Sequence, residues 1–465
     1  MKKEKTAKLH HALISVIAMV ILIFGCVVGF GTEPHIPLVF GSLVAGIVAV
    51  VIGYSWEEIL DGMIEGITQS LEAILILMLI GMLVGTWIAS GTVPTMIYFG
   101  LQLINAQHFL FATALICLIV SFAIGAWGTV GTVGLAFMGI GLALGIPAPM
   151  VAGCIITGAY CGEIISPLSD ATNLTAAVVG RNVFDLMKRV MGIGLVGFAL
   201  AEVAYFVMGF QYAGGDPAEI AANVDPLLNS LKETFTISPI ALIPMVIMVV
   251  CIVIKFPAIP AMLAGIISGI LIAIPLQGAE LGDLIEICCA GFESNTGMEL
   301  LDTLLTAGGL SSMLHSISII IIAMAFGGLM QHTGQMGALV RPIVEHIPGK
   351  GGMNAVTVVT CIGMNIVLPD QYLGISVPGQ MYSEEYDHRG YDRLELSQAL
   401  LCGGAVTSPL IPWNTCGIYC MSILGVSAMQ YLPYACFDYI LPVLMVIIGF
   451  VAPLVKGKKK PKATA

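Results

Sequence analysis

Three acidic residues, Glu163, Asp170 and Asp370, stand in stretches whose other residues are apolar or carry neutral oxygen groups. An ionised side chain away from water is costly, so each of them is a functional candidate. Carboxylate, hydroxyl, amide and main-chain carbonyl oxygens are suitable ligands for a hard monovalent cation such as Na⁺. Burial also favours the neutral, protonated form of a carboxyl group. Such a site can hold Na⁺ or H⁺ in turn, and competition for one site is the simplest exchange mechanism.

Neutral ligands accompany these carboxylates. The predicted ion- and proton-binding set is Thr129, Thr132, Glu163, Ser166, Ser169, Asp170, Asn173, Asn365, Asp370, Ser408 and Asn414, with Asp170 and Asp370 as the Na⁺ carboxylates. Each carboxylate also has a structural interpretation. Asp170 can cap the half-helix that follows it, where main-chain N–H groups lack partners, and Asp370 can be a turn residue. Glu163 can form an ion pair, although no Lys or Arg precedes Arg181 on its segment.

The elements that position these residues must be membrane helices. Of 465 residues, 58% are hydrophobic and 10% are charged, whereas soluble domains carry about 25% charged residues. Apolar runs of about 20 residues, long enough to cross a bilayer core of roughly 30 Å, recur along the whole chain. The predicted spans are 13–30, 36–53, 73–89, 109–146, 148–180, 188–212, 236–254, 257–276, 313–331, 352–383, 394–425 and 431–455.

Four of these spans are interrupted by Gly, Pro and polar residues. The interruptions are 125–132, 166–173, 365–371 and 408–414. Proline removes a main-chain donor and clashes with the preceding turn, so it breaks a helix. Broken main chain at membrane depth is tolerated only where protein or a water-lined cavity satisfies it. The sequence therefore predicts discontinuous helices around the three carboxylates.

The two halves of the chain resemble each other. Ser166-Pro167-Leu168 is echoed by Ser408-Pro409-Leu410, and the Gly-rich run that begins at His35 is echoed by one that begins at Ala258. A shared order of motifs at similar spacing indicates an internal repeat, which is typical of secondary transporters. We expect a first repeat in 1–212, an extracytoplasmic linker in 213–235, and a second repeat with a basic cytoplasmic tail in 236–465.

The positions of Lys and Arg predict the orientation. We take 109–146 and 352–383 as re-entrant hairpins and place the N-terminus in the cytoplasm. Of the eighteen Lys and Arg residues, only Lys232 then lies outside, as the positive-inside rule requires. Each half then has an odd number of crossings, which inverts the second repeat relative to the first. The predicted fold is an all-α polytopic membrane protein with about ten transmembrane helices, two hairpins and two inverted-topology repeats.

Other function classes lack their motifs. The chain contains no His-Glu-x-x-His and no Gly-x-Ser-x-Gly sequence, so we expect no enzymatic activity and no cofactor. Paired broken helices in inverted repeats favour alternating access over a channel. The expected location is the cytoplasmic membrane, with both termini in the cytoplasm. The expected partners are the lipid bilayer, Na⁺ and H⁺, without nucleic acid, and a homodimer is left open.

Three motifs resemble the NhaC family of sodium/proton antiporters. They are Gly-Ala-Trp-Gly-Thr-Val-Gly-Thr at 125–132, Gly-Ala-Tyr-Cys-Gly-Glu-Ile-Ile-Ser-Pro-Leu-Ser-Asp-Ala-Thr-Asn-Leu at 158–174, and Thr-Ser-Pro-Leu-Ile-Pro-Trp-Asn-Thr-Cys-Gly at 407–417. The likeness runs in order over nearly the whole chain. It implies Na⁺/H⁺ exchange with roles for Ser166, Asp170, Asn173 and Asp370.

The resemblance leaves a second function open. The same family includes exchangers that couple Na⁺ or H⁺ to organic solutes, such as malate against lactate, and an amino-acid transporter on this scaffold is a further alternative. An anion-binding Lys or Arg would distinguish these, and the interrupted motifs contain neither. Half-helix N-termini can bind a carboxylate without such a residue, so the absence favours a cation without excluding the alternative.

Overall fold

The computed structural model describes residues 5–30, 32–103, 106–167, 169–212, 217–254, 256–338, 349–368 and 370–455. The regular structure in these ranges is helical. The first half contains α1 (Leu9–Ile23), α2 (His35–Ile52), α3 (Trp56–Gln69), α4 (Leu71–Ala89), α5 (Thr92–Leu103), α6 (Phe109–Thr129), α7 (Leu135–Ala143), α8 (Ala148–Ile165), α9 (Asp170–Val179) and α10 (Val183–Gly209).

The second half contains a comparable series. Its helices are α11 (Pro217–Thr234), α12 (Ile243–Val253), α13 (Ala258–Gln277), α14 (Leu281–Ala290), α15 (Glu299–Leu305), α16 (Leu310–His332), α17 (Gly349–Val367), α18 (Gln371–His388), α19 (Arg393–Leu400), α20 (Thr415–Leu424), α21 (Ala428–Tyr431) and α22 (Cys436–Val455). Every predicted span therefore has a helical counterpart. The predicted linker 213–235 carries α11 from Pro217 onwards.

The helices suit a bilayer in length and composition. Within the described residues, 7 helices are long and apolar enough to cross a membrane, or up to 11 if each bent pair is one span. The outer helices α2, α10, α13 and α22 expose large aliphatic side chains along their length, including Val51, Val203, Leu271 and Val443. By contrast, 89% of α8 is buried within the protein. The helix that carries Glu163 is therefore central.

The first interrupted segment reverses direction at Gly125. This glycine has φ of 76°, a conformation that residues with a side chain rarely adopt. Phe109, at the start of α6, packs against Phe137 of α7 with ring centroids 6.2 Å apart and also lies against Gly141. The two ends of the segment therefore lie at the same level, as the predicted hairpin requires.

The second interrupted segment also reverses, between α17 and α18. The hydroxyls of Thr360 and Tyr382 lie 2.6 Å apart, and Tyr386 donates to Asn354 Oδ1 at 3.0 Å. Later residues of α18 thus pair with earlier residues of α17, which makes the two helices antiparallel. The turn between them contains Asp370.

A broken helix follows each hairpin and runs parallel to its first arm. Gly158 of α8 packs against the main chain of Ala114, and Gly162 packs against that of Leu118. In the second half, Gly403 packs against Val358 in the same way. Close helix contact through glycine is common in membrane proteins, because the main chains can approach without side-chain clashes. Each break therefore lies at the level of the neighbouring hairpin turn.

Basic residues gather at one end of the molecule. Glu395 accepts hydrogen bonds from Arg189 Nη2 at 3.0 Å and from Lys350 Nζ at 2.5 Å. Arg181 pairs with Asp392 at 3.7 Å, and Arg393 Nη1 donates to the main-chain oxygen of Val179 at 3.1 Å. The loops that carry these residues were predicted to share one membrane face. Lys255, Arg341 and the C-terminal lysines lie outside the described residues.

Candidate functional site

Glu163 lies where the two halves of the chain meet. It occupies the last turn of α8, directly before the break at 166–169, and its side chain is buried. Gln371 Nε2, in the first turn of α18, donates to Glu163 Oε2 at 3.5 Å. The side chains of the first broken helix and the second hairpin therefore form one site, although 208 positions separate them.

Asp370 is held by hydrogen bonds from its own half. Its Oδ1 accepts from the main-chain N–H groups of Tyr372 at 2.8 Å and Leu373 at 3.1 Å. Its Oδ2 accepts from the Thr415 hydroxyl at 3.3 Å. Asp370 is therefore the N-cap of α18 and also joins that helix to α20. The alternative to Na⁺ binding for Asp370 was a turn residue, and the capping role was considered for Asp170 instead.

Asp170 differs from Asp370 in every one of these respects. It is the first residue of α9 and its side chain is exposed. Among the described residues, none donates a hydrogen bond to its carboxylate and none forms an ion pair with it. Glu72, at the start of α4, lies within electrostatic range of Asp170. A second carboxylate increases the local attraction for a cation.

Side-chain hydrogen bonds stabilise the non-helical main chain of the first break, at 166–169. Asn173 Nδ2 donates to the main-chain oxygens of Pro167 at 3.0 Å and Ser169 at 2.8 Å. Ser166 Oγ donates to the oxygen of Phe122 at 2.6 Å, which anchors the break to the first hairpin. The buried hydroxyl of Ser169 has no hydrogen-bond partner among the described residues. Ser169 therefore offers an oxygen ligand to which no described residue is hydrogen-bonded.

The second break is bonded to the second hairpin. Asn365 Nδ2 donates to the main-chain oxygen of Gly404 at 2.7 Å and to Thr407 Oγ1 at 3.0 Å, while its buried Oδ1 has no partner among the described residues. Asn414 Nδ2 donates to the main-chain oxygen of Asn365 at 3.3 Å. Ser408 Oγ instead donates within its own turn, to the oxygen of Ala405 at 2.7 Å.

Thr129 and Thr132 lie just beyond the first hairpin turn. Their hydroxyls donate to the main-chain oxygens of Gly125 at 2.8 Å and Gly128 at 2.6 Å, so both stabilise the turn. Trp127, on the same stretch, stacks on Tyr419 of α20 with ring centroids 4.4 Å apart. Each hairpin therefore contacts the broken helix of the opposite half.

The structure adds site residues that the motifs did not single out. Thr415 and Gln371 were not in the predicted set, yet they bond to Asp370 and Glu163 respectively. Cys416 Sγ donates to Gln371 Oε1 at 2.8 Å, which fixes the amide so that its Nε2 faces Glu163. Their positions in the sequence could have indicated them, because Gln371 directly follows Asp370 and Thr415 directly follows Asn414.

Two further buried acids lie on α22 and α10, which both pack against α8. Asp438 is fully buried, and its Oδ2 accepts from Thr157 Oγ1 at 3.4 Å. Tyr205 OH donates to the same threonine at 2.6 Å. Both carboxylate oxygens of Glu202 are buried without a partner among the described residues. Asp438 and Glu202 are not in the predicted set, because each lies near the end of a span or lacks polar neighbours in sequence.

The arrangement suits a small cation or a proton. Among the described residues, no Lys or Arg pairs with Glu163, Asp170 or Asp370. The Lys and Arg side chains that form ion pairs do so with Glu58, Glu385, Asp387, Asp392 and Glu395. A buried carboxylate without a basic partner must be neutralised by a proton or a bound cation. The free oxygens of Ser169 and Asn365 are of the kind that Na⁺ uses.

The comparison with known proteins agrees with this chemistry. Residues 158–452 match the Na⁺/H⁺ antiporter family. The Na⁺/H⁺ antiporter NhaC of Alkalihalophilus pseudofirmus is 34% identical over 96% of this chain and 96% of its own length.

Two further relatives are named for the exchange of organic solutes, and their sequence identity to this chain is nearly the same. The malate-2H⁺/Na⁺-lactate antiporter of Bacillus subtilis is 34% identical over 97% of this chain and 96% of its own length. The arginine/ornithine antiporter ArcD of Halobacterium salinarum is 33% identical over 96% of this chain and 93% of its own length. The family match and these full-length similarities lead to one conclusion: the chain belongs to the Na⁺/H⁺ antiporter family, a family of multi-pass membrane transporters and not of enzymes.

Proposed function

We propose that this protein exchanges Na⁺ for H⁺ across the cytoplasmic membrane by alternating access. The observation that carries the proposal is the buried Glu163 carboxylate, whose described partner is the neutral Gln371 amide at 3.5 Å. A neutral partner leaves the charge of Glu163 uncompensated. Either a proton or a cation must balance it, and the two then compete for the same oxygens.

Asp170 is proposed as the carboxylate that first meets the cation. It is exposed and free of hydrogen bonds from described residues, and Glu72 adds a second negative charge nearby. Ser169 supplies a free hydroxyl beside it, and Asn365 supplies a free amide oxygen at the second hairpin turn. Asn173, Ser166, Thr129, Thr132, Ser408 and Asn414 would shape the broken segments, since their donors are used on main-chain oxygens.

The same proposal includes the membrane topology. About ten helices would cross the bilayer, the hairpins at 109–146 and 352–383 would enter and leave on one side, and both termini would be cytoplasmic. The halves 1–212 and 236–465 would form inverted-topology repeats joined by 213–235. The basic cluster around Glu395 supports a single cytoplasmic face for Arg181, Arg189, Lys350 and Arg393.

An organic-solute exchanger is the second candidate, because two similar relatives are named for malate and lactate or for arginine and ornithine. No described Lys or Arg faces the site, so a dicarboxylate would have only half-helix N-termini to bind it. A cationic amino acid suits an acidic site better. Of the organic substrates, arginine therefore agrees with the observed charges more closely than malate does.

The test uses purified protein in liposomes with a trapped pH dye and an imposed proton gradient. Na⁺, K⁺, malate, lactate and arginine are added separately. The proposal expects proton movement on adding Na⁺ alone, and its loss in the Asp170→Asn variant. A wild-type protein that responds to an organic solute, but not to Na⁺ alone, would transfer the assignment to the second candidate.

A further inference from the structure

A carboxylate and two histidine rings converge at one end of α2 and α16, far from Glu163 in sequence. Glu33 Oε2 lies 3.4 Å from His35 Nδ1, and Glu33 Oε1 lies 3.4 Å from His315 Nε2. The two rings are tilted toward each other with centroids 4.7 Å apart. Each of the three residues offers one possible metal-ligand atom, and these three atoms all lie within 4.8 Å of one another.

The hydrogen bonds of Ser318 indicate which nitrogen of His35 carries the proton. Ser318 Oγ donates to the main-chain oxygen of His315 at 2.6 Å, so it is available as an acceptor for His35 Nε2–H at 2.8 Å. A neutral ring that donates from Nε2 carries its lone pair on Nδ1. That lone pair points at a carboxylate oxygen, an arrangement that is repulsive unless a cation lies between them.

We propose that Glu33, His35 and His315 form a binding site for a divalent transition metal of the Zn²⁺ class. Two imidazoles and one carboxylate are a common ligand set for zinc, with metal–ligand distances of about 2.0–2.2 Å and water in the remaining position. Ser318 is the outer partner that orients a metal-bound histidine, as such partners do in known sites. The side chains of Glu33 and His315 are 67% and 47% exposed, so an ion can enter from solvent.

The site joins two helices from different halves of the chain. His35 is the first residue of α2, whereas His315 lies in the second turn of α16. The neighbouring Ser316 hydroxyl contacts the Ser422 hydroxyl of α20, and α20 begins with Thr415, which bonds to Asp370. A bound metal would therefore restrain α16 next to a broken helix, and we expect it to slow exchange. Metal binding itself does not depend on the proposed transport function.

The experiment titrates Co²⁺ and then Zn²⁺ into full-length protein in detergent, purified without a histidine tag. Co²⁺ reports on nitrogen and oxygen ligands through its visible absorption, and thiolate ligands would give a separate charge-transfer band. We expect one equivalent to bind and Zn²⁺ to displace it. His35→Ala, His315→Ala and Glu33→Gln should each weaken binding at least tenfold, and Ser318→Ala should weaken it about 10-fold to 100-fold.

His332→Ala is the matched control. His332 Nδ1 lies 3.3 Å from Glu65 Oε2, and among the described residues no second histidine joins this pair. The control variant should bind Co²⁺ as the wild type does. Equal Co²⁺ binding by wild type and the His35→Ala, His315→Ala double variant would overturn the proposal. Absence of Co²⁺ binding in a wild-type protein that melts cooperatively would overturn it too, and a proton would then be the cation between these groups.

Discussion

Asp170 lies in the first broken helix and Asp370 in the turn of the second hairpin, and their surroundings differ. Each follows a break and lies at the start of a helix. Asp370 accepts two main-chain hydrogen bonds and one from Thr415, whereas Asp170 is exposed and accepts none from the described residues. A carboxylate used as a cap stabilises the fold, and a carboxylate left free is available to an ion. We therefore expect the two carboxylates to have different roles, ion binding for Asp170 and stabilisation of the fold for Asp370.

The largest effect is expected for Asp170→Asn. This change removes the exposed charge and breaks no hydrogen bond from a described residue, so the protein should fold normally. We expect Na⁺-dependent proton movement in liposomes to fall at least tenfold, which corresponds to about 1.4 kcal/mol in the transport barrier. Asp185→Asn, which alters an exposed aspartate in the first turn of α10, should transport normally. Wild-type exchange by Asp170→Asn would contradict the comparison.

Glu163→Gln tests whether the buried carboxylate is part of the same site. Glutamine has almost the same shape, but it can neither carry a charge nor release a proton at neutral pH. We expect about a tenfold loss of exchange, and the remaining activity should depend less on pH. Radioactive Na⁺ uptake at several pH values measures both. An unchanged pH profile would show that Glu163 only supports packing.

Asp370 should behave as a structural residue. Asn can still accept the hydrogen bonds from Tyr372 and Leu373, so Asp370→Asn should keep most of the transport activity. Asp370→Ala loses the cap, which costs about 1 kcal/mol, and also leaves the buried Thr415 hydroxyl without this acceptor. Thermal unfolding in detergent should show a lower midpoint for Ala than for Asn. If Asp370→Asn is as inactive as Asp170→Asn, Asp370 takes part in ion binding.

Asp302 is a third hydrogen-bonded carboxylate for comparison, and it lies away from the candidate spans. Its substitution should have the smallest effect. The main-chain N–H of Thr296 at 2.6 Å, with hydroxyl donors from Thr296 and Ser294, lowers the pKa of Asp302. A pKa lowered by folding stabilises the protein above the unfolded pKa of about 3.9, and this stabilisation is lost as pH falls through the folded pKa.

Asp302→Asn should therefore reduce the melting temperature slightly at pH 7. The difference from wild type should diminish as the pH is lowered below about 4, and transport should be unaffected. Melting curves at a series of pH values provide the measurement. A difference that is independent of pH would mean that the charge of Asp302 contributes nothing.

Both breaks and the residues around them could be predicted from the sequence, because the relevant signals are local. Pro167, Pro409 and Gly125 interrupt helices through their own main-chain properties, and the structure has its breaks at these positions. The short helices α5, α14 and α15 were not predicted, because they are shorter than a membrane span. The internal repeat and its inversion remain part of the proposal, supported by the matching hairpin and broken helix in each half.

The sequence by itself determined the membrane environment, the helical fold and the candidate carboxylates. Hydropathy and helix-breaking residues specify these features because they act locally, within a few helical turns. Only the tertiary structure decided what each carboxylate contacts. Gln371 contacts Glu163 across 208 positions, and Thr415 contacts Asp370 across 45. Whether a charged group is capped, paired or free depends on donors that packing brings from distant segments, and no local pattern specifies them.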